Sequence, residues 1–134
     1  MKYSIGVDFG TLSARAIIAE IGTGNVAGQA SMNYPHGVMD EALPDGTPLK
    51  QDWALQHPQD YLDTLEYAVN GAMKQAGISP DDVVGIGIDF TACTPLPIDV
   101  EGRPLCFLDA YKTNPHAYVK LWKHHAAQYA ANKL

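Results

Sequence analysis

The stretch Tyr3-Ser4-Ile5-Gly6-Val7-Asp8-Phe9-Gly10-Thr11-Leu12-Ser13-Ala14-Arg15 leaves few folds open to this chain. Tyr3 to Val7 is short, apolar and followed by Asp-x-Gly, the pattern of a buried strand that runs into a tight turn. Gly10 can take backbone angles closed to other residues, and without a Cβ it lets a ligand approach the main chain. Beyond it, Leu12, Ala14, Ala16, Ile18 and Ile21 lie mostly on one alternating face, so Thr11 and Ser13 open a second strand over 12–21, not a helix. That excludes the P-loop arrangement, in which a Gly-rich turn opens a helix and ends in Gly-Lys-Ser/Thr. A turn that carries a carboxylate, two hydroxyls and a guanidinium suits phosphate.

The rest of the chain extends this unit. Gly22-Thr23-Gly24-Asn25 is a hairpin signal, and residues 26–34 return as a third strand. From Pro35 to Gln56 periodicity disappears among Pro35, Gly37, Pro44, Asp45-Gly46 and Pro48, which predicts a long loop. It carries Asp40, Glu41, Asp52 and Trp53 and either covers a ligand or is a surface excursion. Pro58 then opens a helix over 58–76, with Asp60 and Asp63 near its positive end and an apolar stripe of Leu62, Leu65, Val69, Ala72, Met73 and Ala76. Residues 83–90 form a continuous apolar run, the mark of a central strand covered on both faces. The order β-β-β-α-β predicts a mixed sheet with the helix against one face. A small hairpin over 96–98 and 104–108 follows. Asn114-Pro115 opens a last helix that runs to Leu134, with Val119, Trp122, Ala126 and Tyr129 as its apolar positions.

The 134 residues make about one domain, and a hydrophobic share of 46% is ordinary for a globular core. The net charge of −6 and nine dispersed Lys and Arg argue against a nucleic-acid surface, which needs clustered cations. No stretch approaches the roughly 20 apolar residues that cross a bilayer, and Asp8 cuts the first apolar run too short for a signal peptide, so no membrane is expected and the cytoplasm is. Cys93 and Cys106 fit no disulfide framework or zinc spacing and are expected as free thiols. His116, His124 and His125 lack a convergent third ligand for a metal.

Asp-Phe-Gly-Thr-x-Ser-x-Arg at 8–15, followed by an apolar strand, resembles the first phosphate loop of the actin and hexokinase superfamily in the form used by FGGY carbohydrate kinases. Gly-Ile-Asp-Phe-Thr-Ala-Cys-Thr at 87–94, Asp-Ala-Tyr-Lys at 109–112 and Lys-Leu-Trp-Lys-His-His-Ala-Ala at 120–127 extend the likeness over most of the chain. The resemblance implies an α/β, ribonuclease-H-like half-domain, incomplete at its C-terminus, with 1–134 as the N-terminal part of the first kinase domain. It implies ATP with Mg2+ as cofactors and a small sugar as acceptor, L-ribulose phosphorylated at carbon five. It also implies a general base beyond Leu134 and a second domain that binds adenine, so the segment alone is expected to be inactive. A homo-oligomer is compatible with this reading.

Within that frame Asp8 is expected to hold magnesium, the alternative being a carboxylate that merely caps the turn. Gly10 and Thr11, through their amides, and Ser13 and Arg15, through their side chains, are expected at the nucleotide phosphates. For Arg15 the alternative is an ion pair with a helix carboxylate. The resemblance places Asp89, Thr91, Ala92 and Cys93 beside the sugar, with Asp109 and Lys112 in a second substrate-contacting segment. Family members often carry large polar side chains where Ala92 and Cys93 stand, which suits a pocket read by backbone groups here. Asp89, Thr91 and Thr94 could instead make only local turn bonds. The remaining alternatives are a kinase for another polyol or ketose such as xylulose or glycerol, a non-catalytic sugar or nucleotide module, and an actin-like assembly protein.

Overall fold

The computed structural model describes all 134 residues, which form two compact units. The first unit comprises residues 1–35 and 59–91, and the second residues 36–58 and 92–134.

In the first unit β1 (Tyr3–Phe9), β2 (Ser13–Glu20), β3 (Val26–Asn33) and β5 (Val83–Phe90) make one mixed sheet in the order β3-β2-β1-β5. β1 pairs antiparallel with β2 and parallel with β5, and the helix α1 (Pro58–Ala76) connects the meander to β5. This is the β-β-β-α-β order expected from the sequence. Alternation along β1 and β2 sends Ile5, Val7, Ala16 and Ile18 into a core shared with Ala68 and Ala72 of α1. Leu65, Val69, Met73 and Ala76 pack around it, whereas Leu62, expected in the same stripe, is 55% exposed. Small residues carry the helix contact because the backbones approach closely. A Cβ on Gly28 would collide with the Ala72 carbonyl oxygen and come within 2.7 Å of the Ala76 nitrogen, and a Cβ on Gly71 would come within 2.8 Å of Ala30 Cβ. Both ends of the expected second strand differ from the alternating pattern, since Leu12 and Ile21 are exposed.

The expectation that 83–90 is covered on both faces is not met. Val84, Ile86, Ile88 and Phe90 are 58% to 69% exposed, because β5 is an edge strand of the four and the helix packs against the β1–β3 part of the sheet. A continuous apolar run therefore marks a strand with a buried character in its sequence but an open position here.

The second unit replaces the expected long loop with a core of its own. Met39, Leu43, Leu55, Cys106, Ala117 and Tyr118 are buried together, with Leu49, Trp53 and Leu105 against them. Its regular structure is slight: β4 (Leu55–Gln56) pairs antiparallel with β6 (Val119–Lys120), and single bridges join Met39 to Leu55 and Ile98 to Pro104. The last bridge is what remains of the expected hairpin, followed by a single 3-10 turn at Leu105–Phe107. The expected last helix is also corrected. The Asn114 side chain caps a 3-10 turn at Pro115–Ala117, then Val119–Lys120 extends to pair with β4 and Leu121 donates its N–H to the Ala54 carbonyl. Only α2 (Gln128–Ala131) is helical, and Trp122 and Tyr129 are exposed at 54% and 74%. Backbone pairing with residues far back in the chain outweighed a helical spacing of apolar side chains.

Gly28→Ala is expected to destabilise the first unit by about 3 kcal/mol, because the new methyl group meets rigid helix backbone. Gly85→Ala, whose Cβ meets nothing within 4 Å, should stay within about 0.5 kcal/mol. Urea unfolding of both variants followed by circular dichroism checks the contrast.

Candidate functional site

The first unit brings several of the expected residues together at one end of its sheet. Strand alternation turns Asp8 away from the helix, on the face opposite to Val7, while Arg15 on β2 stands directly across from it. Arg15 Nε lies 3.1 Å from Asp8 Oδ2, and both side chains remain about half exposed. The ion-pair partner of Arg15 is thus Asp8 itself and not a helix carboxylate. Such an exposed pair adds at most about 1 kcal/mol to stability, so its main effect is to orient the two groups.

Between the strands, the Gly10 N–H donates to the Ser13 carbonyl at 2.9 Å and closes the turn. The Gly10 N–H, expected at a phosphate, makes its bond inside the turn. A Cβ at Gly10 would sit 3.2 Å from the Ser13 oxygen and 3.9 Å from Arg15 Nη2. One arm of the guanidinium therefore lies beside the turn while its Nε faces Asp8. Thr11 and Ser13 are half-buried.

The end of β5 meets the same region. Its parallel register places Asp89 beside Asp8 and Phe90 beside Phe9, and the Thr91 N–H donates to the Phe9 carbonyl at 3.3 Å. The 8–10 and 89–91 segments therefore converge within this unit. Asp89 Oδ1 also accepts the Phe90 N–H at 2.9 Å, a local bond of the kind weighed against a substrate role. A shallow depression of about 390 Å3 lies on this open face, lined by Gly6, Asp8, Arg15, Ile17, Gly87 and Asp89 among others. The glycines keep its floor low. Parallel strands leave ligand sites outside their carboxyl ends, and two carboxylates and one guanidinium occupy that position here.

Buried beneath the turn is a group that no sequence pattern flagged. Tyr34, 5% exposed, donates its hydroxyl to the Gly10 carbonyl at 3.0 Å. Its ring meets Tyr61 edge-on at 5.5 Å, and Tyr61 meets Phe9 edge-on at 5.8 Å. Burial, with the nearby Asp8 charge, pushes the Tyr34 phenol up to about 12. A lone tyrosine at the end of a strand carries no signal of this role in sequence.

The other expected residues belong to the second unit. Ala92 and Cys93 are exposed, Cys93 takes a positive φ of 55°, and the Thr94 hydroxyl donates to the Ala92 carbonyl at 3.0 Å. That conformation is uncommon for a residue with a Cβ. Both cysteines are free thiols, and burial pushes Cys106 up to about 11. Asp109 and Lys112 form an exposed pair at 3.0 Å. His116 and His124 both lie edge-on to Trp53, at 4.9 and 4.8 Å, and His124 Nδ1 accepts the Ala54 N–H at 3.1 Å. No helix is long and apolar enough to cross a membrane.

A turn between antiparallel strands, flanked by a parallel strand with an acidic end, is the setting in which the comparison to known families stands. The family model described as the FGGY family of carbohydrate kinases, N-terminal domain, matches residues 3–126. The chain belongs to the FGGY family of carbohydrate kinases, whose members act on a sugar and ATP. It is 53% identical to the ribulokinase of Halalkalibacterium halodurans over 134 residues, covering 99% of this chain and 24% of that relative. Against the ribulokinase of Geobacillus thermodenitrificans it is 52% identical over the same shares. The chain thus spans about a quarter of the length of the curated relatives it matches. Among solved structures, the ligand-bound xylulose kinase of Lactobacillus acidophilus aligns with a TM-score of 0.73 at 16% identity, over 99% of this chain and 22% of that one. That likeness is one of fold.

Burial, and then the Lys120 charge, hold the His124 pKa below its ordinary 6.5. The unfolded chain therefore binds a proton at His124 at higher pH than the folded chain does. The stability this site contributes is whole above pH 6.5 and declines as the pH falls below it. His124→Gln is expected to flatten the fall in unfolding free energy between about pH 6.5 and 5, read by urea titration at each pH.

Proposed function

We propose that these residues form the phosphate-binding part of a kinase that transfers the γ-phosphoryl group of ATP to the carbon-five hydroxyl of L-ribulose. The proposal extends to a whole protein of the relatives' length, with 1–134 as the N-terminal part of its first domain. The observation that carries it is the register that sets Asp8 and Asp89 side by side at the carboxyl ends of parallel strands, next to the Gly10–Ser13 turn. The ribulokinases that share about half of its residues support the choice of sugar.

Phosphoryl transfer asks a protein mainly for positioning and for stabilisation of charge. Asp8 and Asp89 offer hard oxygen donors on neighbouring strands, and the Asp8 side chain is half exposed, which suits a magnesium ion that keeps several of its waters. Asp8 would hold that ion; when bound, the metal neutralises charge on the phosphates. The Thr11 amide and the Ser13 hydroxyl would donate to phosphate oxygens. Arg15 would serve twice, with Nε orienting Asp8 and its outer nitrogens meeting phosphate. On the sugar side, Asp89 and Thr91 would border the acceptor, and the family resemblance assigns Ala92 and Cys93, whose small size leaves recognition to backbone groups, to the same substrate. Asp109 and Lys112 are assigned to the substrate by the same resemblance. The base that takes the hydroxyl proton lies outside residues 1–134, so these residues alone bind and position without turning over.

The test is ADP release by the whole protein with L-ribulose, D-xylulose and glycerol compared at matched concentrations. L-ribulose is expected to show the highest kcat/KM, and a higher value for either rival would reject the assignment. Asp8→Asn should lower kcat about 100-fold or more with little change in Tm, since it removes charge stabilisation from an exposed site. The isolated residues 1–134 should release no sugar-dependent ADP.

A further inference from the structure

Tyr34 is a buried polar side chain that the phosphoryl-transfer scheme does not use. It follows β3 and spans the turn from beneath with two bonds: its N–H donates to the Leu12 carbonyl at 2.8 Å and its hydroxyl to the Gly10 carbonyl at 3.0 Å. The edge-on contact with Tyr61, itself braced against Phe9, fixes the ring. Phe9 is the residue immediately before Gly10, so the same aromatic group supports the turn and the donor that reaches it.

A trans peptide is planar, with its C=O and the following N–H pointing in opposite directions. A donor that holds the Gly10 carbonyl on one side therefore fixes the direction of the Thr11 N–H on the other. The constraint has most effect at a glycine, where the adjoining peptide can rotate at little steric cost. The Gly10 N–H is already committed to the Ser13 carbonyl. Among the amides assigned to phosphate from the sequence, the Thr11 amide is thus the one whose aim the tyrosine controls.

We propose that Tyr34 is a positioning residue for nucleotide binding, whose hydroxyl holds the Gly10 carbonyl and so aims the Thr11 amide at the phosphate of a bound nucleotide. The inference rests on the phosphoryl-transfer reading above. With its phenol pushed up to about 12, Tyr34 remains a donor across the physiological pH range.

Tyr34→Phe in the whole protein removes one oxygen and keeps the ring contacts. The Kd for MgADP, measured by isothermal titration calorimetry, is expected to rise about five- to ten-fold, as for the loss of one aligned neutral hydrogen bond. KM for ATP should rise in parallel, while KM for the sugar stays close to the parent value and Tm falls only by the amount that one buried hydrogen bond contributes. A purely structural role would move both KM values together, and that outcome overturns the inference. So does an unchanged MgADP Kd in a parent protein that binds the nucleotide. A parent that binds no MgADP overturns the phosphoryl-transfer reading along with it, which separates the two failures. If Tyr34→Phe does not fold, 3-fluorotyrosine at position 34 supplies a stronger donor of nearly the same shape. It should tighten MgADP binding about two-fold, and no change would overturn the inference.

Discussion

The parallel pairing of β1 with β5 is the constraint on which the site depends. A parallel pair needs a crossover, and α1 supplies it by lying against the sheet from Ile5 and Val7 across to Gly28 and Ala30. The close approach at Gly28 lets the helix settle there, and the connection then delivers β5 in the register that puts Asp89 beside Asp8. A slip by one residue would turn every side chain of β5 to the other face and part the two carboxylates. Helix packing on one side of the sheet thus determines the chemistry on the other.

Charge at the strand ends is organised by the same strands. Asp8 and Arg15 face each other across an antiparallel pair, so their partnership follows from strand register without a dedicated loop. The exposed position keeps the pair weak, and the alternation that exposes it is the one that buries Val7. Core and site are therefore written on the two faces of a single strand.

Much of the first unit was legible in the sequence because its signals are local: alternation in β1 and β2, glycines at the hairpin, and a proline followed by acids at the start of α1. The turn between β1 and β2 is legible for the same reason, since Asp8, Gly10, Thr11, Ser13 and Arg15 are neighbours. The loop expected over 35–56 and the helix expected over 115–134 take their order from each other, which no local pattern shows. Leu55 is strand only because Val119 and Lys120 come to it, and Val119 leaves its helical spacing for that pairing. Met39 and Leu43 look like isolated apolar residues in a loop until Cys106, Ala117 and Tyr118 cover them. Tyr34 was missed because its hydroxyl partner is a backbone carbonyl, which leaves no trace in side-chain patterns.

The interleaved path of the chain has a consequence for biosynthesis. The first unit is complete once residue 91 has emerged from the ribosome, whereas the second holds two segments separated by all of α1 and β5. Met39, Leu43 and Leu55 must wait as exposed apolar chain until Cys106 to Leu121 arrive, which makes that interval the vulnerable one for chaperone capture and misassociation during translation.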